Sequence, residues 1–177
     1  FAPSHYAFCS GDTAERIQNQ STGVRGVFGY QTNRRLANIT DGTSNTIAMG
    51  EVTSSIGQGS RRLFGAIARD QGTSVAILSP ISCSRTADRG TGVYLPSVAT
   101  VSESRGSRWA RGTAEYTGFN TILPPNSASC QTGIFNSNGI FSATSRHPGG
   151  VQVLLCDASV RFISQNVDSG NLAARDL

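Results

Sequence analysis

Apolar residues along this chain fall in short runs of strand length, and no window holds helical spacing beyond about three turns. The clearest pattern lies in the last third. Residues 151–156 (V-Q-V-L-L-C) and 159–164 (S-V-R-F-I-S) are two strand-like segments split by Asp157-Ala158, and so short a link predicts a hairpin. Pairing Cys156 with Ser159 sets Val153 opposite Phe162 and Leu155 opposite Val160. One face is then apolar, and the other carries Gln152, Arg161 and Ser159. A tight two-residue turn asks for positive φ at both positions. Ala158 would enter that region at a cost of roughly 1–2 kcal/mol, so the hairpin is strained or its turn is of another type.

Further strands are expected over residues 5–9 (H-Y-A-F-C), 23–30 (with bulges), 46–52, 63–68, 75–81 and 116–123. Turn chemistry separates them. Asp41-Gly42-Thr43-Ser44-Asn45 offers side chains that bond back to the backbone and a Gly for positive φ. Pro124-Pro125-Asn126-Ser127 ends one strand, and Ser145-Arg146-His147-Pro148-Gly149-Gly150 forms a turn. Residues 58–62 and 82–92 read as polar loops, and 165–177 as a polar, partly helical tail. The expected fold is mainly β, a β-rich α+β type: one domain over residues 1–177, with antiparallel strands, long loops and few short helices.

Composition changes this picture in one respect. All fifteen basic residues are Arg and none is Lys, against eleven acids, for a net charge of +4. Charged residues make up only 15% and apolar ones 37%, which excludes a disordered chain and a charged helical bundle. A coding bias toward Arg is the default explanation. The alternative is that guanidinium groups, planar and rich in donors, tie long loops or subunits to carbonyls and carboxylates. The arginines are scattered, with only the doublets Arg34-Arg35 and Arg61-Arg62, so no nucleic-acid partner is expected. No apolar run reaches the length of a membrane span, and no signal peptide opens the chain, so either the mature protein begins here or the chain is a fragment.

Candidate chemistry is sparse. Two His residues and eleven acids leave little for a multi-ligand metal site, and neither metal nor cofactor is expected. Asp41, Asn45 and Glu51 could supply oxygens to calcium, but without EF-hand spacing; turn capping by Asp41 is the favoured reading. His147 and Asp157 suggest an acid–base dyad until the strand between them is measured. Six residues span roughly 20 Å, so the two lie at opposite ends and His147 reads as a turn residue. Neither G-x-S-x-G nor S-x-x-K occurs, and Gly57-Gln58-Gly59-Ser60-Arg61-Arg62 is an exposed loop without phosphate-binding spacing. Trp109 stands among Arg105, Arg108 and Arg111. Burial in a small core is favoured, while exposure would make it a site for sugar or a neighbouring subunit, with guanidinium stacking on its ring. Asn19-Gln20-Ser21 and Asn38-Ile39-Thr40 match the glycosylation triplet. Cys9, Cys83, Cys130 and Cys156 show no C-x-x-C. Their even number suggests an exported protein with up to two disulfides, with buried free thiols as the alternative. The preferred pairing is Cys83–Cys130, both in loop-like segments, and Cys9–Cys156, both in strand-like ones.

Several blocks together resemble a large planctomycete family of prepilin-like proteins. Residues 39–47 (I-T-D-G-T-S-N-T-I) with Gly50-Glu51 are similar to its "ITDGTSNTI…GE" block, and residues 119–127 through Cys130 to "FNTILPPNS…C". Residues 145–151 are similar to "SRHPGGV", and His147 to Asp157 to its terminal "H-x9-DG" motif, with Ala158 in place of the Gly. The resemblance implies a pilin-like globular head whose N-terminal apolar helix is absent here. It also implies an extracytoplasmic location, with the membrane reached only through that helix, and partners that are copies of itself or related pilin-like subunits. It gives structural roles to Asp41, Gly42, Asn45, Glu51, His147, Gly149, Gly150, Asp157 and Arg161. The family has been called a domain of unknown function, with an older label hinting at solute binding, and it carries over no catalytic residues.

The functional expectation is therefore a non-enzymatic, exported, pseudopilin-like structural subunit of a cell-surface or secretion-associated assembly. The second expectation is a binding module for surface glycans or another small ligand, with Trp109, Arg108, Arg111, Arg146 and His147 as candidate contacts. An enzyme would require a polar pocket that gathers His5 or His147 with acids from distant segments.

Overall fold

The computed structural model describes residues 2–15, 17, 23–54, 61–69, 79–133 and 137–173. β1 (Tyr6–Cys9), β2 (Ile47–Glu51), β10 (Gly150–Leu155) and β11 (Val160–Ser164) are the longest ladder strands, and they share one sheet. With β7 (Gly118–Phe119) they run in the order β11-β10-β2-β1-β7. A second sheet, in the order β6-β3-β8-β9, joins β6 (Thr100–Ser102), β3 (Ile67–Arg69), β8 (Cys130–Gln131) and β9 (Gly139–Ile140). β4 (Ala87–Asp88) and β5 (Val93–Tyr94) form a two-stranded ribbon. Two helices of about one turn complete the fold: α1 (Pro80–Ser84) and α2 (Ala114–Thr117). The described residues thus form one β-rich domain. The pairings are antiparallel except for β1 with β7 and β3 with β8, which are parallel. No helix among the described residues is long and apolar enough to cross a membrane.

Alternation decides which side of the large sheet is buried. Ala7 and Cys9 on β1, and Val151, Val153 and Leu155 on β10, face inward and pack with Phe119. The second cluster surrounds the Cys83–Cys130 disulfide, whose Cα atoms are 5.8 Å apart, and includes Leu63, Tyr94, Ile122 and Leu123. Tyr94 is fully buried; its hydroxyl donates toward the carbonyls of Ala66 and Ser129 and accepts from the Ser129 amide. Burial pushes this phenol well above its ordinary pKa.

Cys9 and Cys156 are free thiols rather than the expected second disulfide. Cys9 lies on β1, and the Cys156 amide bonds Thr46 beside β2, so β2 runs between them. Two strand spacings are about 9.6 Å, beyond the roughly 7 Å that a disulfide bridges. Burial raises the Cys9 thiol to about 11.

The hairpin of β10 and β11 forms, but one residue out of the expected register. Leu154 faces Val160, Val153 faces Arg161 and Gln152 faces Phe162. The cause is the turn. The Ala158 amide bonds the Leu155 carbonyl and the Leu155 amide bonds the Ser159 carbonyl. The loop therefore holds three residues, with Ala158 alone at positive φ (68°) in the bulge position that favours Gly. Asp157 Oδ1 accepts from the Ser159 amide and hydroxyl, which holds this carboxylate below its ordinary pKa. Because strands alternate, the slip moves Val160 and Phe162 to the outer face of the sheet.

Other expected elements are shorter or different. Residues 23–30 form no strand. Gly26 crosses the chain at Ser10–Gly11 so closely that a Cβ there would lie 2.2 Å from the Ser10 carbonyl carbon. Residues 63–66 turn at Gly65, which leaves only Ile67–Arg69 as strand. In 116–123 only Gly118–Phe119 pairs as strand, because α2 precedes it and the Asn120 side chain takes over the bonding that follows. Residues 75–78 of the expected 75–81 strand lie outside the described residues, and Pro80 opens α1, as its fixed φ allows at a first helical position. Residues 165–173 run as turns and extended chain rather than a helix. The triplet at Asn19 and residues 57–60 also lie outside the described residues, whereas Asn38 is exposed.

Replacing Ala158 by Gly should stabilise the protein. Relief of the left-handed strain, roughly 1–2 kcal/mol, outweighs the extra freedom of Gly in the unfolded chain, roughly 0.4–1 kcal/mol. A rise of about 2–4 °C in the calorimetric Tm is expected.

Candidate functional site

Alternation along β2 places Glu51 on the outer face of the large sheet, between Tyr6 of β1 and Gln152 of β10. The turn before β10 delivers His147 to the same spot. Ser145 Oγ accepts the His147 amide, and Gly149 reverses the chain at φ +85°. His147 Nε2 then lies 3.2 Å from Glu51 Oε1. The other carboxylate oxygen accepts the Gln152 amide at 2.7 Å and stands in for a ladder carbonyl. Beside the pair lies a cavity of about 490 Å³ bordered by His5, Glu51, Thr53, Thr144, Ser145 and Arg146.

A polar pocket that gathers both histidines' neighbourhoods with an acid from a distant segment therefore exists. There Glu51 of β2 bridges the turn at His147 and β10. Both Glu51 oxygens are already engaged; its side chain is only 15% exposed, whereas that of His147 is 61% exposed, so a sheltered carboxylate meets a partner open to water. Asp157 is at the far end of β10, as the strand length required, and accepts from Ser159 in its own turn. Among the described residues no three His, Cys, Asp or Glu side chains form a group able to hold a metal. Asp41 and Asn45 are separated from Glu51 by the length of β2, about 16 Å, so the three do not converge. The 41–45 turn is held by Asn45 and Thr46 side chains that donate to the Asp41 and Gly42 carbonyls, rather than by the expected Asp41 cap.

A second candidate site lies elsewhere and shares no lining residue with the first. Phe8, Phe28, Tyr30 and Trp109 wall an open cavity of about 410 Å³ that also touches Gly112 and Gly118. The Phe8 and Phe28 ring centroids are 4.7 Å apart. Trp109 is 63% exposed rather than buried in a core. Its loop is pinned by the Trp109 amide on the Ala2 carbonyl, which leaves the indole outside. Arg108 and Arg111 do not stack on it; both guanidiniums lie over the Tyr116 ring, at 5.3 and 4.9 Å. Of the expected ligand contacts, Trp109 thus lines the aromatic cavity, Arg108 and Arg111 brace the adjacent helix, and Arg146 and His147 sit at the polar pocket. Gly42 lies in the 41–45 turn, Gly150 starts β10, and Arg161 donates across the sheet to the Ser44 carbonyl at 3.5 Å.

A model of a family described as a protein of unknown function (DUF1559) matches residues 2–170. The chain belongs to that family. No curated protein and no solved structure matches it. The DUF1559 match covers both candidate sites, from His5 to His147, and extends through β11.

Sequence reasoning missed two associations. The sequence groups Glu51 with Asp41 and Asn45, because nothing local shows that it meets His147. Phe8, Phe28 and Tyr30 were not joined to Trp109, although the alternation of large and small residues in Y-A-F-C already pointed Tyr6 and Phe8 to one face.

If Glu51 acts as a structural clamp, the two members of the pair should differ in cost. Glu51→Ala orphans the Gln152 amide and should lower stability by about 1–3 kcal/mol in urea denaturation. His147→Ala, which removes an exposed partner, should cost less than about 1 kcal/mol.

Proposed function

We propose that this chain is an exported, non-enzymatic, pseudopilin-like subunit of a cell-surface or secretion-associated assembly. The observation that carries this reading is the outer face of the five-stranded sheet, which no described residue covers at Tyr6, Phe8, Val160 and Phe162 to more than about half. Two cross-strand rows run over it: Tyr6, Glu51, Gln152 and Phe162, and beside them Phe8, Met49, Leu154 and Val160. Tyr6, Phe8, Val160 and Phe162 are 56%, 43%, 65% and 46% exposed. Phe28, Tyr30 and Trp109 extend this surface past Phe8. Aromatic side chains present about 200 Å² each when free, so the half-exposed set offers apolar area on the order of 500 Å². A patch of that size is at the upper end of what a single folded chain exposes and is often functional, which supports an interaction surface. The resemblance to prepilin-like proteins names the kind of assembly, and the buried Cys83–Cys130 disulfide suits an oxidising, extracytoplasmic compartment.

A second reading is supported by the aromatic cavity. Four rings around about 410 Å³ form a stacking site of the kind that pyranose rings occupy, and Trp109 is its most exposed wall. This reading makes the chain a surface glycan-binding module.

The protein expressed from its complete reading frame separates the two. Under the assembly reading it sediments as oligomers or fibres with the cell envelope, and electron microscopy shows them. A protein that stays monomeric and unanchored at every concentration contradicts that reading. Glycan-array binding that disappears in Trp109→Ala would establish the second reading, and no binding would remove it.

A further inference from the structure

One edge of the large sheet, unpaired among the described residues, has a definite chemistry. β11 is its outermost strand. The Cys156 amide bonds the Thr46 carbonyl and the Gln152 amide bonds Glu51, so even-numbered residues of β10 turn their amides toward β2. Odd-numbered ones turn toward β11, and the bonds that bracket the hairpin agree: Leu155 to Ser159 and Gln165 to Gly149. Across the pairing, Arg161 and Ile163 therefore bond β10, while Val160, Phe162 and Ser164 direct their backbone groups away from the sheet. The Ser164 carbonyl accepts from Val167; the outward groups of Val160 and Phe162 have no ladder partner among the described residues.

Natural edge strands are usually blunted by Pro, Lys, inward charges or bulges. V-R-F-I-S has no Pro, Lys or bulge, and its pairing with β10 shows no register break; its one inner-face charge, Arg161, is turned to the Ser44 carbonyl within its own chain, and its residues are strong strand formers apart from that Arg and one Ser. Val160 and Phe162 also leave their side chains exposed.

We propose that β11 pairs antiparallel with β11 of a second copy, about a two-fold axis through Phe162, joining two five-stranded sheets into one of ten strands. This deepens the assembly reading and rests on it. Phe162 is the middle residue of the five-residue strand and points its backbone outward, so an axis there sets Phe162 against Phe162 and Val160 against Ser164, whose carbonyl also accepts from Val167. About four N–H···O bonds form without disturbing the Val167 bond to the Ser164 carbonyl. The contact is the same patch on both copies and therefore closes. Arg161 falls opposite Ile163 of the other copy, so like charges do not face each other. The Phe162 rings meet on the outer face and make the two apolar rows continuous across the axis. A strand of this length buries on the order of 500 Å² per copy, short of the ~800 Å² of a standard stable interface. The pair is therefore weak alone, in the range of tens of micromolar, and effective where other contacts hold copies together.

Sedimentation equilibrium of this chain from about 10 to 500 μM tests it, alongside Phe162→Pro and Phe162→Lys, with folding checked by circular dichroism. Proline removes only an outward N–H and keeps the bonds to β10; lysine places like charges at the axis. The wild type should pass from monomer to dimer over this range, and both folded variants should stay monomeric, with at least a tenfold weaker dissociation constant. Should Phe162→Pro fail to fold, Phe162→Lys decides alone. Dimerisation of a folded Phe162→Lys variant as tight as wild type would overturn the edge pairing while leaving the assembly reading intact. A wild type that stays monomeric throughout would overturn the edge pairing; the assembly reading falls with it only if the complete-frame protein is also monomeric.

Discussion

Arg105 holds together the part of the molecule that strands cannot. Its side chain is fully buried, and its guanidinium donates to the carbonyls of Ala114, Gly118 and Ser142 while lying 5.4 Å from the Phe141 ring centroid. Those carbonyls lie at the start of α2, at the start of β7 and in the segment after β9, so one side chain ties a helix, an edge strand and a loop together, and a buried carbonyl without a donor is costly. Desolvation lowers the Arg105 pKa to about 10, so the group remains charged at neutral pH and its donors stay in place. The same device recurs. Arg61 spans the carbonyls of Tyr94, Leu95 and Val98, and Arg89 reaches those of Pro125 and Gln165. Arg69 pairs with the buried Glu115 at 3.2 Å and with Ser104. These contacts favour loop bridging over coding bias as the reason for a chain with Arg and no Lys: a planar fork reaches several carbonyls that a single ammonium would not.

Neutral side chains extend the device. Asn120 donates to the carbonyls of Thr13 and Gly139 and accepts the Phe141 amide, which replaces a strand neighbour for three segments at once. Asn126 and Tyr94 do likewise for the turn at Ser145 and for β8's approach. With the inner layer fixed this way, the large sheet needs only one of its faces for the core. The other face remains available, and the assembly reading gives it a use.

How much of this was legible follows from how local each signal is. β1, β2 and the β10–β11 hairpin were readable because strand alternation is written in consecutive residues. Register was not, since it depended on one extra turn residue and on Asp157 capping Ser159. The Cys83–Cys130 bridge agreed with the preferred pairing, whereas Cys9–Cys156 did not, because strand order places β2 between them. His147's separation from Asp157 followed from strand length alone. Its meeting with Glu51 did not, because it depends on which strands are neighbours. Trp109 was misplaced for a similar reason: the arginines that flank it in sequence turn to Tyr116 in space.

The claim that guanidinium donors organise the loop layer is tested most directly by urea denaturation of Arg105→Met, with Arg146→Met as the exposed control. Buried charges can be replaced by apolar residues without loss when desolvation outweighs their bonds. Here the Gly118 and Ser142 carbonyls would lose the Arg105 donors and that of Ala114 would keep only the Gly118 amide, so a loss of about 3 kcal/mol is expected for Arg105→Met, and less than about 0.5 kcal/mol for Arg146→Met. An Arg105→Met protein as stable as wild type, or more so, would contradict the account.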